Sequence, residues 1–526
     1  MKAGRVIGGE EHDAKKRADA ILADARAAAE TVLAGAKAEA DQLKRDASAL
    51  ATTMVSDARR EVARISAATD DERVFSRDPE LATTRAVESS GFAGARSDAE
   101  GRRGVWNDVP GGTVDEVVGL LVRATIPRVA LGELVRIDRR EREPLPAEVV
   151  GFRGEQAVLL PLGELAGVAP ASIVWRTGTP LQIRCGDDLL GRVLDGIGQP
   201  LDGGPALIGE KWDVDRPAPS PLARPAITAP LPTGVRALDT MLTLGRGQRI
   251  GLFAAAGVGK STLLGQIARN AIADVIVVCQ VGERGRELAE LLGDELAPAR
   301  ARTVVVCATS DAPALVRLRA VHVATAIAEW FRDMRGASVL LLCDSLTRVA
   351  RAQREVGLSA GEPPARHGYP PSVFALLPRL IERTGATTNG VITAIYTVLV
   401  AGNDLDEPIA DEVRGLVDGH VILDRRLAQR GHFPPIDVVS SVSRLMARVV
   451  DPAHAEAAAK LRARLAVYEE NRDLITLGAY QKGRDATIDA AIAAYPGIEA
   501  HLRQRREETI EWDSAVDRLL ALGRKV

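Results

Sequence analysis

Arg249-Ile-Gly-Leu-Phe-Ala-Ala-Ala-Gly-Val-Gly-Lys260-Ser-Thr-Leu-Leu264 leaves this chain few folds to choose from. A β-prone run feeds a glycine-rich loop, and Lys-Ser-Thr then opens a helix. A strand, a nest of backbone N–H groups and a helix N-terminus are thereby set in line for an anion. Gly257 and Gly259 let the backbone curl around phosphates without a Cβ in the way. Lys260 brings a mobile positive charge to the outer phosphates, and the Ser261 hydroxyl suits a Mg2+ ion. Ala254 stands where the G-x-x-x-x-G-K-[ST] pattern has its first glycine. The reading is a nucleotide-binding loop in an α/β fold.

Further strand-like runs at 275–281, 303–308, 339–343 and 391–400 alternate with helical patterns between about 234 and 423. Continuous apolar strands separated by helices imply a parallel sheet covered on both faces. The run Ser338-Val-Leu-Leu-Leu-Cys-Asp344 ends in an acid, and the tip of a buried parallel strand is where ligands bind. Asp344 can there support Mg2+ beside Ser261. The run Val275-Ile-Val-Val-Cys-Gln-Val-Gly leads into Glu283-Arg-Gly-Arg-Glu287. A carboxylate at that strand end can orient and deprotonate a water for in-line attack. Glu287 suits a helix first turn, where the dipole favours an acid.

At 526 residues the chain needs two to four domains. Its 68 basic and 71 acidic residues nearly cancel, so bulk charge argues for neither nucleic acid nor an anionic membrane. The four cysteines, at 185, 279, 307 and 343, form no metal-binding or disulfide spacing. No apolar run is long enough to span a bilayer and no secretory h-region leads the chain, so a soluble cytoplasmic protein is expected. Residues 1–68 read as one long amphipathic helix, with a thin alanine-rich seam from Leu22 to Met54 suited to coiled-coil packing. Residues 69–112 are polar and read as a flexible linker. Short β-branched runs over 113–182, beginning with one at 114–124, imply a small β-barrel. The α/β domain is assigned to 183–442 and a helical C-terminal domain to 443–526.

Taken together, these segments resemble the hexameric P-loop ATPases related to rotary ATP synthases. Within that group the chain is similar to the export ATPases of type III secretion systems, injectisome and flagellar. The resemblance is carried by 251–264, Val281-Gly-Glu-Arg-Gly-Arg-Glu-Leu288, the 343–357 segment, Gly368-Tyr-Pro-Pro-Ser-Val-Phe374, the 408–422 segment and Leu477-Gly-Ala-Tyr-Gln-Lys-Gly483. It covers about 113–526, and Ala254 is usual in that family. The resemblance implies a β-barrel, a RecA-like ATPase core and a C-terminal helical domain, in a ring of six with nucleotide between adjacent subunits. It implies that Ala255, Ala256, Gly257, Val258, Gly259, Lys260, Ser261 and Thr262 hold ATP, with Ser261 and Asp344 on Mg2+. Glu283 is then the general base, and Arg284 and Arg348 approach the γ-phosphate or its sensing network. Arg444, in Ser440-Ser-Val-Ser-Arg444, matches an arginine inserted into the neighbour's site, and Phe433 an aromatic stacked on adenine. Implied partners are further copies of the chain, a stator or regulator protein, a central stalk, an export gate, and chaperones with their substrates. The expected location is cytoplasmic, peripheral at the inner-membrane base of the apparatus.

Two departures stand out. Val400-Ala-Gly-Asn-Asp-Leu405 replaces the family's usual Val-Glu-Gly-Asp-Asp-Met, removing two carboxylates near the site. About 105 residues precede the barrel; the 12–68 helix resembles the amino-terminal helix of the family's stator protein, as a fusion, an extension or a misassigned start. Competing functions are a rotary ATP synthase catalytic subunit, a hexameric RNA helicase, and a non-catalytic nucleotide-binding ring or stator scaffold. The helicase reading would call for aromatics on a base-stacking platform, and the barrel offers few. Glu283 speaks against the non-catalytic ring.

Overall fold

Alternating burial builds the first domain. The computed structural model describes residues 109–400 and 405–525. The 12–68 helix, nearly all of the 69–112 linker, and Ala401 and Asn403 lie outside the described residues. Strands β1 (Val109–Val118), β2 (Leu121–Thr125), β3 (Leu134–Arg139), β4 (Arg142–Arg153), β5 (Gln156–Pro161) and β6 (Ile173–Arg176) close into a barrel in the order β1-β2-β5-β4-β3-β6. Val122, Ala124, Val135, Ile137, Val149, Leu159 and Val174 fill its interior. The run expected as one strand over 114–124 is a hairpin. Val118 pairs with Leu121 across Gly119-Leu120, and Gly119 takes φ +59°, which the β-branched residues before it avoid.

A ribbon of β7 (Gln182–Cys185) and β9 (Glu210–Asp213) and the short β8 (Val193–Leu194) follow. The main sheet then adds β10 (Arg249–Ala254), β11 (Val275–Glu283), β12 (Thr303–Thr309), β13 (Ser338–Asp344), β14 (Gly385–Ala386), β15 (Val391–Leu399), β16 (Gly419–Leu423) and β17 (Val442–Ser443). Its order is β17-β16-β10-β15-β13-β11-β12-β8, with β14 beside β15. The strands from β16 to β8 run parallel, so their C-terminal ends share one edge. This topology decides where the chemistry sits. The loop after β10, Glu283 at the end of β11 and Asp344 at the end of β13 all reach that edge.

Each face of the sheet carries its own core. The helix Ala314–Arg335 packs on one face against Val277, Cys279, Leu341 and Cys343. The P-loop helix Lys260–Asn270 and the C-terminal helices share the other with Ile276, Val278, Leu340 and Leu342. Burial on both faces explains why these strands read as unbroken apolar runs.

The C-terminal helices meet the sheet domain along a seam of neutral histidines. Thr240 donates its hydroxyl to the Arg236 carbonyl at 2.7 Å, so the His501 Nε2–H donates to Thr240 Oγ1 at 2.9 Å. The His454 Nε2–H donates to the Thr240 carbonyl at 2.8 Å. Burial, with the charges of Arg236 and Arg518, pulls the His501 imidazole down to about 4. Burial also lowers His454. Because the folded chain resists a proton that the unfolded chain accepts near 6.5, this stability is present above that value and is lost as pH falls toward 4. Moving from pH 7 to pH 5 should cost about 2 kcal/mol through His501 alone. Thermal melts across that range should show the midpoint falling, and His501→Gln should flatten the slope; an unchanged slope would contradict the assignment.

Candidate active site

The phosphate loop takes its shape from two glycines. Gly257 has φ +77° and Gly259 φ +101°, and an added Cβ at either would touch nothing within 4 Å. Conformation rather than space therefore demands glycine here. Val258 between them is buried and pins the loop to the core, while Ala256 and Gly257 are exposed at its mouth. The first backbone bond entering the helix is Leu263 N–H onto the Gly259 carbonyl at 3.1 Å. The N–H groups of Lys260, Ser261 and Thr262 ahead of it are left for an anion.

Four charged side chains meet at the strand ends. The Lys260 ammonium is paired with Asp344 and lies 3.7 Å from Glu283. Glu283 in turn is paired with Arg348, the third residue of the helix Leu346–Ser359. Gly282, at φ +68°, allows this approach, since a Cβ there would stand 3.0 Å from Arg348 Cδ. Two acids and two bases thus neutralise one another in a mostly buried row. Thr397 on β15 donates to Asp344 Oδ1 at 2.7 Å, while Asp344 Oδ2 is buried without a partner. A buried carboxylate oxygen left unpaired is costly unless a further group comes to it.

Two cavities open beside the glycine-rich loop and its helix, one of them onto Glu283 of this row. One, of 360 Å3, is lined by Ser261, Glu283, Glu287 and Gln280, at the start of the P-loop helix. The other, of 650 Å3, is lined by Gly259, Gln266, Phe433 and Gln504. Phe433 is 49% exposed there, an unusual state for a phenylalanine. Burial and the nearby Arg503 charge lower His432, so the residue before Phe433 is neutral. Ser261 and Glu283 line the first cavity and Phe433 the second, while Lys260 and Arg348 stand behind Glu283, and Asp344 behind Lys260, in the charged row. Arg284 is exposed at the start of the next helix, outside the charged row.

Arg444 is elsewhere. Ser443 pairs with Gly419, next to the N-terminal end of β10, and the Arg444 N–H bonds the Asp418 carbonyl. Asp418 also accepts from the Arg249 backbone, at the start of β10. The phosphate loop begins at the other end of that strand, about 16 Å away at the usual rise per residue. The Arg444 side chain is exposed and donates to the Arg414 carbonyl at 3.4 Å.

Three contributors escaped the sequence reading: Thr397, Gln504 and Arg506. Each comes from an element remote in the chain from the motifs, and no spacing pattern links them to it. Among the described residues no group of three or more His, Cys, Asp and Glu side chains could by itself hold a metal ion.

Residues 234–443 match the ATP synthase alpha/beta family, nucleotide-binding domain, and residues 450–521 match the T3SS EscN ATPase C-terminal domain. The chain is 48% identical to the flagellum-specific ATP synthase of Bacillus subtilis over 78% of this chain and 94% of the relative. It is 49% identical to the type 3 secretion system ATPase of Xanthomonas euvesicatoria, over 78% and 93% respectively. The assembled ATPase EscN of enteropathogenic E. coli superposes with a TM-score of 0.74 at 42% identity, covering 78% of this chain and all of that one. With a barrel, a P-loop sheet domain and a C-terminal helical region in the same order, the chain belongs to the family of type 3 secretion system ATPases and flagellum-specific ATP synthases.

Proposed function

We propose that this chain hydrolyses ATP and that the energy drives protein export through a type III secretion apparatus, releasing and unfolding substrates at its cytoplasmic base. The observation that carries the reading is the row Asp344–Lys260–Glu283–Arg348 beside a phosphate loop, in a chain whose relatives are export ATPases. The match over 450–521 favours export over the rotary synthase.

In this reading the loop N–H groups and Lys260 hold the β- and γ-phosphates. Binding requires Lys260 to turn from the two carboxylates toward phosphate, which frees Glu283 and Asp344. Glu283, still steadied by Arg348, orients a water and takes its proton. Arg348 and Arg284 sense the γ-phosphate, and Phe433 stacks on adenine. Asp344, with its unpaired buried Oδ2, and the Ser261 hydroxyl fit a Mg2+ ion, and these two residues would hold it. When bound, that ion neutralises charge on the phosphates.

Arg444, at the far sheet edge, reaches a nucleotide only in another copy, which supports a ring of six; a solved relative is an assembled ATPase. A second structure of that relative holds its central stalk, EscO. A stalk, a stator protein, an export gate and chaperone–substrate pairs are the partners proposed here, with peripheral attachment at the inner membrane. No described helix is long and apolar enough to cross a membrane. Deleting the chain from its host should remove the exported proteins from the culture medium, and restoring the whole chain should return them. Secretion that continues without it would overturn the proposal.

A further inference from the structure

We propose that Arg506, from the C-terminal region, binds nucleotide in its own chain, engaging the phosphate nearest the ribose, and that Glu295 is the rest position it leaves. The inference rests on the nucleotide-hydrolysing reading above. The base cavity around Phe433 and the phosphate cavity around Glu283 meet at the first turn of the P-loop helix, and Thr262 and Arg506 line both. A nucleotide with its base on Phe433 and its last phosphate beside Glu283 has to pass between these two residues. Arg506 is also the cation in the wall of the phosphate cavity, where Glu283, Glu287, Glu290, Asp294 and Glu295 are like-charged. A polyanion entering there needs a positive group to offset that field.

The surroundings hold the Arg506 backbone and leave its guanidinium free to move. Gln504 accepts from the Arg236 N–H at 2.8 Å and donates to the carbonyls of Gly234 and Glu508, both at 2.8 Å. The Gln504 N–H bonds the Phe433 carbonyl at 2.8 Å, and Arg269 donates to the Arg506 carbonyl at 3.0 Å. The segment is thus fastened to the P-loop helix and to the base-stacking residue. The Arg506 side chain, by contrast, is 44% exposed and held by a single ion pair, to Glu295 at 2.7 Å.

Glu295 does not need Arg506 to stay neutralised. It closes a π-helical turn, Leu291–Glu295, and is also paired with Arg269 of the P-loop helix. Gly265 admits it, since a Cβ there would overlap the carboxylate. When Arg506 turns to phosphate, one ion pair is exchanged for another and no buried charge is stranded. Guanidinium is suited to the task, because its planar donors match phosphate oxygens. The C-terminal segment would keep its place on the P-loop helix through the Arg269 contact while the Arg506 side chain moves.

The test uses the whole chain and the fluorescent probe 2′/3′-O-methylanthraniloyl-ADP. Arg506→Ala should weaken probe binding about tenfold, as loss of a charge-assisted contact does, and Arg506→Lys should restore it to within about threefold. Competition by adenosine, which has no phosphate, should be the same for wild type and both variants. Glu295→Gln, which loosens the rest position, should bind the probe at least as tightly as wild type. Unchanged binding in Arg506→Ala, or equal losses for adenosine and the probe, would overturn the proposal. So would weakening by Glu295→Gln, the mark of a purely structural pair. Should Arg506→Ala fail to fold by circular dichroism, Arg506→Gln, which keeps the stem, is read in its place. Wild-type chain that binds no probe at all would instead overturn the ATPase reading.

Discussion

Glu283→Gln should lower ATP turnover by about 10³-fold while nucleotide affinity stays within about threefold of wild type, as expected for loss of a general base. Glutamine keeps the shape of the side chain and its reach toward the phosphate cavity. It cannot take a proton from water, and a neutral amide orients the water less strongly. The charged row sharpens the expectation. Glu283 is paired with Arg348 and lies 3.7 Å from Lys260, so the substitution leaves two cations with one carboxylate. That excess of positive charge favours the bound triphosphate and should make the variant a nucleotide trap rather than a weak binder. Steady-state hydrolysis with a coupled phosphate assay, beside probe titration, separates the two effects. Turnover above about a tenth of wild type would remove Glu283 from the base role, because general-base losses run to 10² and beyond.

The parts of this fold that could be read from sequence are those in which one physical pressure acts alone. The β-prone run that feeds the glycine-rich loop is the strand Arg249–Ala254 in the structure, because from Ile250 onward it is buried on both faces and apolar side chains fit there. The runs ending at Asp344 and Glu283 are legible for the same reason, each continuing a residue or two further than its apolar stretch. Where two pressures compete, the reading fails. The 114–124 run looked continuous because Val117 and Val118 are β-branched, yet Gly119 turns the chain back there. Strands β8 and β17 have two residues each, too few to show a period, and are made only by pairing with β12 and β16.

The site divides along the same line. Glu283 and Asp344 sit at the ends of strands that the sequence itself reveals, and Lys260 opens the helix after a third, so a parallel sheet brings them together without further instruction. Thr397 is one of two threonines in β15, and only the neighbouring position of β15 and β13 puts its hydroxyl on Asp344. Arg506 and Gln504 come from a loop after the helix Ala486–Leu502, where three of four residues from 503 to 506 are arginine and none announces a partner. Contacts made across domains leave no trace in local pattern.

Arg444 is where topology adds most to the motif. In a chain read alone, an arginine after Ser-Val-Ser could serve the site beside it. The order β17-β16-β10 and the antiparallel turn into β17 put it instead at the start of β10, the opposite edge from the phosphate loop. Its side chain then completes a site only if the loop belongs to another copy. Arg444→Ala should therefore lower turnover by about 10³-fold, the scale of an arginine finger supplied in trans. The decisive measurement mixes two dead proteins. Arg444→Ala keeps an intact phosphate loop, and Lys260→Ala keeps an intact arginine. Combined in equal amounts, about a quarter of the head-to-tail interfaces in a ring pair the two intact halves, so turnover should return to a comparable fraction of wild type. An arginine that served its own chain would give no recovery, since every subunit would still carry one broken half. Turnover per subunit should also fall on dilution of the wild type, as rings separate and each loop loses its neighbour's arginine.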